Sequence, residues 1–231
     1  MRCSLFPAPL VLTLTACAPG LASAPRVSRH VAILSDRSPS IEDGHGSGCR
    51  GLMWMVERAI ELPDVGSHSR IQAFWTGNGV GNTIVAIATP LVLPPPLTPD
   101  ERARQRRARL SAERPIQAAC AADTTASQTS PVWLSIRDVV AQMRSWGCAA
   151  DHACTLLVQS DLQETDTDGI RRALHGAVHP TLPTPLDLSG LDVHVCGLGA
   201  STEPLDDTVR TRTETVWGRI LPGATFAPVC G

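Results

Sequence analysis

Apolar positions along this chain follow two alternating rhythms. Short, mostly apolar runs appear at Val31-Ala32-Ile33-Leu34, within Ile71–Thr76 and Thr83–Thr89, at Cys154–Val158, and, with polar residues interposed, at Leu191–Cys196. Apolar runs of this length between polar residues predict strands, buried on both faces where no alternation interrupts them. Between the runs the spacing becomes helical. Leu52, Met55, Val56, Ala59 and Ile60 predict a helix over Gly51–Leu62, stopped by Pro63. Further helices are predicted from the Ser127–Ile136 region to Trp146, from Thr167 to Val178, and from Pro204 to Leu221 with Leu205, Val209, Val216 and Ile220 turned inward. The Gly- and Asn-rich stretch Gly77–Asn82 accepts positive φ and joins its two flanking strands as a hairpin. Thr225–Val229 reads as a closing edge strand, where Pro228 is tolerable. The alternation across residues 30–229 predicts an α/β fold: a doubly wound, mostly parallel sheet with one antiparallel edge strand and helices on both faces.

Two stretches break the rhythm. Glu42–Arg50 is glycine-rich and expected to be irregular; it has neither the Gly-x-Ser-x-Gly of a hydrolase elbow nor the Gly-Lys-Ser/Thr of a phosphate loop. Pro90–Pro99 cannot be regular, but Thr98-Pro99-Asp100-Glu101 starts a helix well: Thr98 caps, Pro99 suits the first helical position and Glu101 completes a capping box. The body of this insertion, about residues 98–114, is rich in arginine between Arg102 and Arg109 and poor in apolar residues. It reads as a solvated helix, or else as a patch for anionic lipid, lipopolysaccharide or another polyanion.

The N-terminus reads as an export signal. Arg2 precedes the apolar stretch Leu5–Leu14, which is too short to span a bilayer. It ends in Leu14-Thr15-Ala16-Cys17, which resembles a bacterial lipobox. That resemblance implies acylation of Cys17, a membrane held through an N-terminal lipid, and a place in the bacterial cell envelope. Ala18 in place of Asp points to the outer membrane, facing the periplasm. An ordinary signal peptide cut after Ala22 or Ala24 is the alternative. Residues 1–17 are then leader, 18–29 a tether and 30–231 the domain.

Composition agrees with one exported domain. The 20 basic and 22 acidic residues nearly balance, so nothing in the overall charge points to nucleic acid. Lys is absent throughout, a sign of base-composition bias. Of 8 cysteines, Cys3 and Cys17 fall in the leader. The remainder, Cys49, Cys120, Cys148, Cys154, Cys196 and Cys230, are even in number, which suits disulfides in an oxidising compartment. Cys148 and Cys154 flank a loop between a predicted helix and strand and are expected to pair; a zinc site with His152 is the alternative. Cys196, inside an apolar run, reads as a small buried hydrophobe.

The chemistry sits where buried runs end in oxygen. Val31–Leu34 runs into Ser35-Asp36-Arg37-Ser38-Pro39-Ser40, and Thr155–Val158 runs into Gln159-Ser160-Asp161. In open α/β sheets ligands bind beyond the carboxyl ends of the strands. Asp36-x-Ser38-x-Ser40 after a buried strand resembles the metal-ion-dependent adhesion motif of von Willebrand factor A-type domains. Ser160-Asp161, the hairpin and the later Gly197-Leu198-Gly199 follow in the order that family shows. The resemblance covers nearly all of the mature chain. It implies Mg²⁺ or Mn²⁺ held by Ser38, Ser40 and a hydroxyl ahead of the next helix, Thr129 or Ser130, with Asp36 and Asp161 binding directly or through water. Hard oxygen donors suit these ions. It further implies a protein or matrix partner whose carboxylate completes the metal shell. Leu162 stands where the family commonly has Gly, and Arg37 places a cation within the motif. A degenerate site, with the fold but no metal, is therefore the competing reading. Enzyme chemistry finds little: position 38 is not acidic, as haloacid-dehalogenase-like phosphotransfer requires, and the histidines show no paired or triad spacing. The chain is read as a non-enzyme.

Overall fold

The computed structural model describes residues 29–36, 48–62, 65, 69–76, 83–88, 98–100, 103, 107, 114, 118, 131–149, 154–198 and 206–228. Strands β1 (His30–Ser35), β2 (Arg70–Trp75), β3 (Thr83–Ala88), β4 (Cys154–Gln159), β5 (Leu191–Cys196) and β6 (Thr225–Ala227) form one sheet. Helices α1 (Gly48–Glu61), α2 (Val132–Ser145), α3 (Asp168–Leu174) and α4 (Asp207–Ile220) cover it. Val31–Leu34 is buried because β1 lies inside the sheet, between β2 and β4 in the order β3-β2-β1-β4-β5-β6. Every neighbouring pair is parallel except β2 and β3, which pair antiparallel at the edge.

Pleating sorts the apolar residues into two cores. Val31, Ile33, Ile71, Ala73 and Leu157 pack against Leu52, Met55, Val56 and Ala59 of α1. Ala32, Leu34, Leu156, Val158, Val193 and Val195 face α2, α3 and α4 through Ile136, Met143, Ile170, Trp217 and Ile220. The register aligns Ser35 with Trp75 and Gln159, and Gln159 with Cys196. The residues one step further, Asp36, Thr76 and Ser160, therefore share the carboxyl edge. They also share the pleat parity of Leu34, Phe74 and Val158, which lie in the second core.

Element boundaries differ from the sequence reading for local reasons. α1 begins at Gly48, so the end of the stretch expected to be irregular is helical. The apolar stripe starts only at Leu52, but backbone bonding extends a turn ahead of it. At Gly51 the helix runs close to the end of the Gln159 side chain, which would have to move to admit a Cβ. α3 stops at Leu174 and not at Val178. Gly176 takes φ +84, and the amides of Gly176 and Ala177 turn back to the carbonyls of Ala173 and Arg172, a Schellman end. α4 starts at Asp207 because Asp206 caps it, accepting from the Thr208 amide at 3.0 Å. In the arginine-rich insertion Pro99, Asp100, Ala103, Arg107 and Arg114 are helical and exposed, as is Ala118 beyond it.

Cys148 and Cys154 are joined as a disulfide, with Cα atoms 5.8 Å apart, where α2 returns to β4. The bond consumes both thiols and leaves none for zinc. Cys196 is also disulfide-bonded, which corrects its reading as a mere small hydrophobe. The leader, Cys17 and the tether through residue 28 lie outside the described residues. Among the described residues, no helix is long and apolar enough to cross a membrane.

Candidate functional site

Asp36 is fully buried at the end of β1. Its amide continues the ladder to the Gln159 carbonyl at 2.8 Å, while the Thr76 and Ser160 amides reach the carbonyls of Ser35 and Cys196. These backbone bonds hold three polar residues in register past the strand ends. The Thr76 hydroxyl donates to Asp36 Oδ1 at 2.7 Å, and the Ser160 hydroxyl donates to Oδ2 at 2.8 Å. Both carboxylate oxygens are thus oriented, and each retains acceptor capacity.

The turn after β4 is equally ordered. The Ser160 hydroxyl accepts from the Leu162 amide at 2.9 Å, and Asp161 Oδ1 accepts from the Gln163 amide at 3.0 Å. Asp161 is fully buried. Leu162, in the position the family resemblance expects to be Gly, has φ +62 and is fully buried. A left-handed conformation costs a residue with a Cβ about 1–2 kcal/mol. The Leu162 side chain, packed in the second core, and its carbonyl, which accepts from Trp217 Nε1 at 3.0 Å, offset that cost.

Glu164 belongs to the acidic stretch Gln163–Asp168. It is nevertheless 3% exposed and turned inward. Its Oε2 accepts from the Trp133 amide at 2.6 Å, and its Oε1 accepts from the Asp166 and Thr167 amides at 2.9 and 3.0 Å. Burial pushes its pKa above the ordinary value of 4.5, against the lowering by those three amides. The fold therefore favours the protonated form more than the unfolded chain does. The stability Glu164 contributes is fully present below pH 4.5 and is lost as pH rises through its higher folded value. Denaturation of the protein beside Glu164→Gln should show the stability difference, protein minus variant, falling as pH increases above 4.5. A flat or rising difference would contradict this.

Of the six residues expected to surround a metal, the fold brings Asp36 and Asp161 to one edge as buried carboxylates. Ser38, Ser40, Thr129 and Ser130 lie outside the described residues. Among the described residues no group of three His, Cys, Asp or Glu side chains gathers to hold an ion. The donors that are described are all hard oxygens, so their chemistry fits Mg²⁺ or Mn²⁺. Sequence reasoning missed Thr76 and Glu164. Thr76 had a signal, as the first hydroxyl after the buried run of β2. Glu164 had none, since its inward turn depends on α2.

No protein-family profile matches the chain, and no curated protein matches it. Solved structures do. Proximal thread matrix protein 1 from the mussel byssus aligns over 88% of this chain at 13% identity and TM-score 0.49. The chain spans only 44% of that protein's length. The conserved hypothetical protein BatB from Bacteroides thetaiotaomicron aligns over 88% of this chain and 90% of its own, at 13% identity and TM-score 0.42. Manganese-loaded TRAP protein from Plasmodium vivax aligns over 87% of this chain and 69% of its own, at 12% identity and TM-score 0.41. Such scores transfer no ligand or activity. The fold itself is read from the strand order and pairing described above: a six-stranded α/β sheet, parallel but for its one antiparallel edge pair, as the sequence resemblance implies.

Proposed function

We propose that this protein is an envelope lipoprotein whose A-type domain binds a protein or matrix partner through a divalent cation at the carboxyl edge of the sheet. The observation that supports this is Asp36: a fully buried carboxylate with both oxygens aimed by hydroxyls, on the same edge as the buried Asp161. Asp36 and Asp161, with Ser38, Ser40 and Thr129 or Ser130, would hold Mg²⁺ or Mn²⁺. The ion would supply an open position for a partner's carboxylate. Asp36 orients the set, and Asp161 adds charge. The lipobox-like Leu14–Cys17 supports anchoring through Cys17.

One observation favours a second reading, a metal-free scaffold. Thr76 and Ser160 already satisfy Asp36 from within the protein, so its burial needs no cation. The exposed residues Arg107 and Arg114 would then belong to the contact surface.

Thermal unfolding with and without millimolar Mg²⁺ or Mn²⁺ separates the two. An ion that binds only the folded state stabilises by about 2.7 kcal/mol at 100 times its Kd. The expected result is a rise in Tm that Asp36→Asn and Asp36→Ala abolish. The alanine variant should also lower the metal-free Tm, because it removes the acceptor to which two buried hydroxyls donate, at about 1–3 kcal/mol. No metal-dependent shift in the unaltered protein would leave the scaffold reading.

A further inference from the structure

Helix α2 begins without a cap of its own. Its N-cap is Pro131, which makes no side-chain cap hydrogen bond, and its first turn contains no acidic residue. An uncapped helix end leaves amide donors exposed and a partial positive charge unmet. Glu164, 31 residues further along the chain, fills this role through space, with Oε2 on the Trp133 amide. Its other oxygen holds the Asp166 and Thr167 amides just ahead of α3. One buried carboxylate thus joins three backbone donors from two elements. It lies three residues after Asp161, whose own turn is closed onto Gln163.

We propose that Glu164 is a positioning residue: its carboxylate fastens the turn that carries Asp161 to the first turn of α2, and so sets the alignment of the cation site without touching the ion. This rests on the metal-binding reading above. Reach matters as well as charge. Asp at this position retains the charge but is one methylene short, so it cannot span from the Trp133 amide to the Asp166–Thr167 amides. Gln has the reach but replaces one acceptor oxygen by a donor that faces an amide.

The test measures Mn²⁺ binding to the whole chain, beside amide hydrogen exchange without metal, for the protein, Glu164→Asp and Glu164→Gln. Residues that orient metal ligands from behind typically change affinity 10–100-fold. Both variants should bind Mn²⁺ about tenfold or more weakly while remaining folded. Exchange should speed up at Trp133 and at Gln163 together. If Glu164→Asp binds Mn²⁺ as the unaltered protein does while Glu164→Gln does not, Glu164 acts by charge alone and the proposal is overturned. It is also overturned if exchange quickens at Trp133 but not at Gln163. If the unaltered protein binds no Mn²⁺, the metal reading fails, and the joint exchange response by itself decides whether Glu164 fastens the two elements.

Discussion

Trp217→Ala is expected to cost about 3–5 kcal/mol, a large share of an ordinary domain's stability of about 5–15 kcal/mol. Trp217 is fully buried on α4 and heads the largest fully buried side chains. It also donates from Nε1 to the carbonyl of Leu162, the residue held at φ +62 immediately after Asp161. Truncation therefore opens a cavity and releases the anchor of a strained turn. Trp217→Phe separates the two effects. It retains most of the ring and removes the donor, so the Leu162 carbonyl is left without it at a cost of about 1–3 kcal/mol. Urea denaturation of both variants reads the stability. A Phe variant as stable as the unaltered protein would show that the indole bond contributes nothing to holding this turn.

The second large effect reverses the usual sign. Within a helix, Gly to Ala normally stabilises by about 0.8–1 kcal/mol. Gly169→Ala in α3 should instead destabilise by about 1–3 kcal/mol or more. A Cβ there would overlap the Thr181 carbonyl oxygen and lie 2.9 Å from its carbon. Both are backbone atoms, and the segment that carries them is tied down further along, at residues 186–189. The Arg144 guanidinium donates to the carbonyls of Asp187, Ser189 and Cys148 at 2.7–2.8 Å. The Leu186 amide bonds the Ile220 carbonyl at 2.9 Å. Gly218→Ala in α4 is the control, since nothing lies within 4 Å of its Cβ. It should stabilise by about 0.5–1 kcal/mol. Denaturant midpoints of the pair give the answer directly: a midpoint for Gly169→Ala that rises as that of Gly218→Ala does would refute the close approach at Thr181.

Both predictions concern contacts that no local pattern announces, which is also where sequence reading stopped. Val31–Leu34 and Leu156–Val158 showed their strands because burial on both faces demands unbroken apolar runs. The inner stripe of α1 was legible in Leu52, Met55, Val56 and Ala59 for the corresponding helical reason. Cys148 and Cys154 were close enough in the chain to be paired before any coordinates. Helix ends were less legible, because Gly176 and Asp206 act through backbone geometry and hydrogen bonds that hydropathy does not contain. Val216 and Ile220 were read as inner positions, but Thr213 and Trp217 were not, although they point to the same core.

The site divides along the same line. Sequence alone determined that acids stand at the ends of buried runs, Asp36 after β1 and Asp161 after β4, since a strand's carboxyl end is readable wherever an apolar run stops. Only the tertiary structure decided what those acids meet. Parallel register brought Thr76 and Ser160 to Asp36 from strands 40 and 124 positions away in sequence. The uncapped end of α2 drew Glu164 out of an acidic loop and into the interior. Trp217 made a left-handed Leu162 tolerable. The physical reason is common to all three: a buried polar atom must find a partner, and the partner is selected by proximity in the folded chain and not by spacing along it.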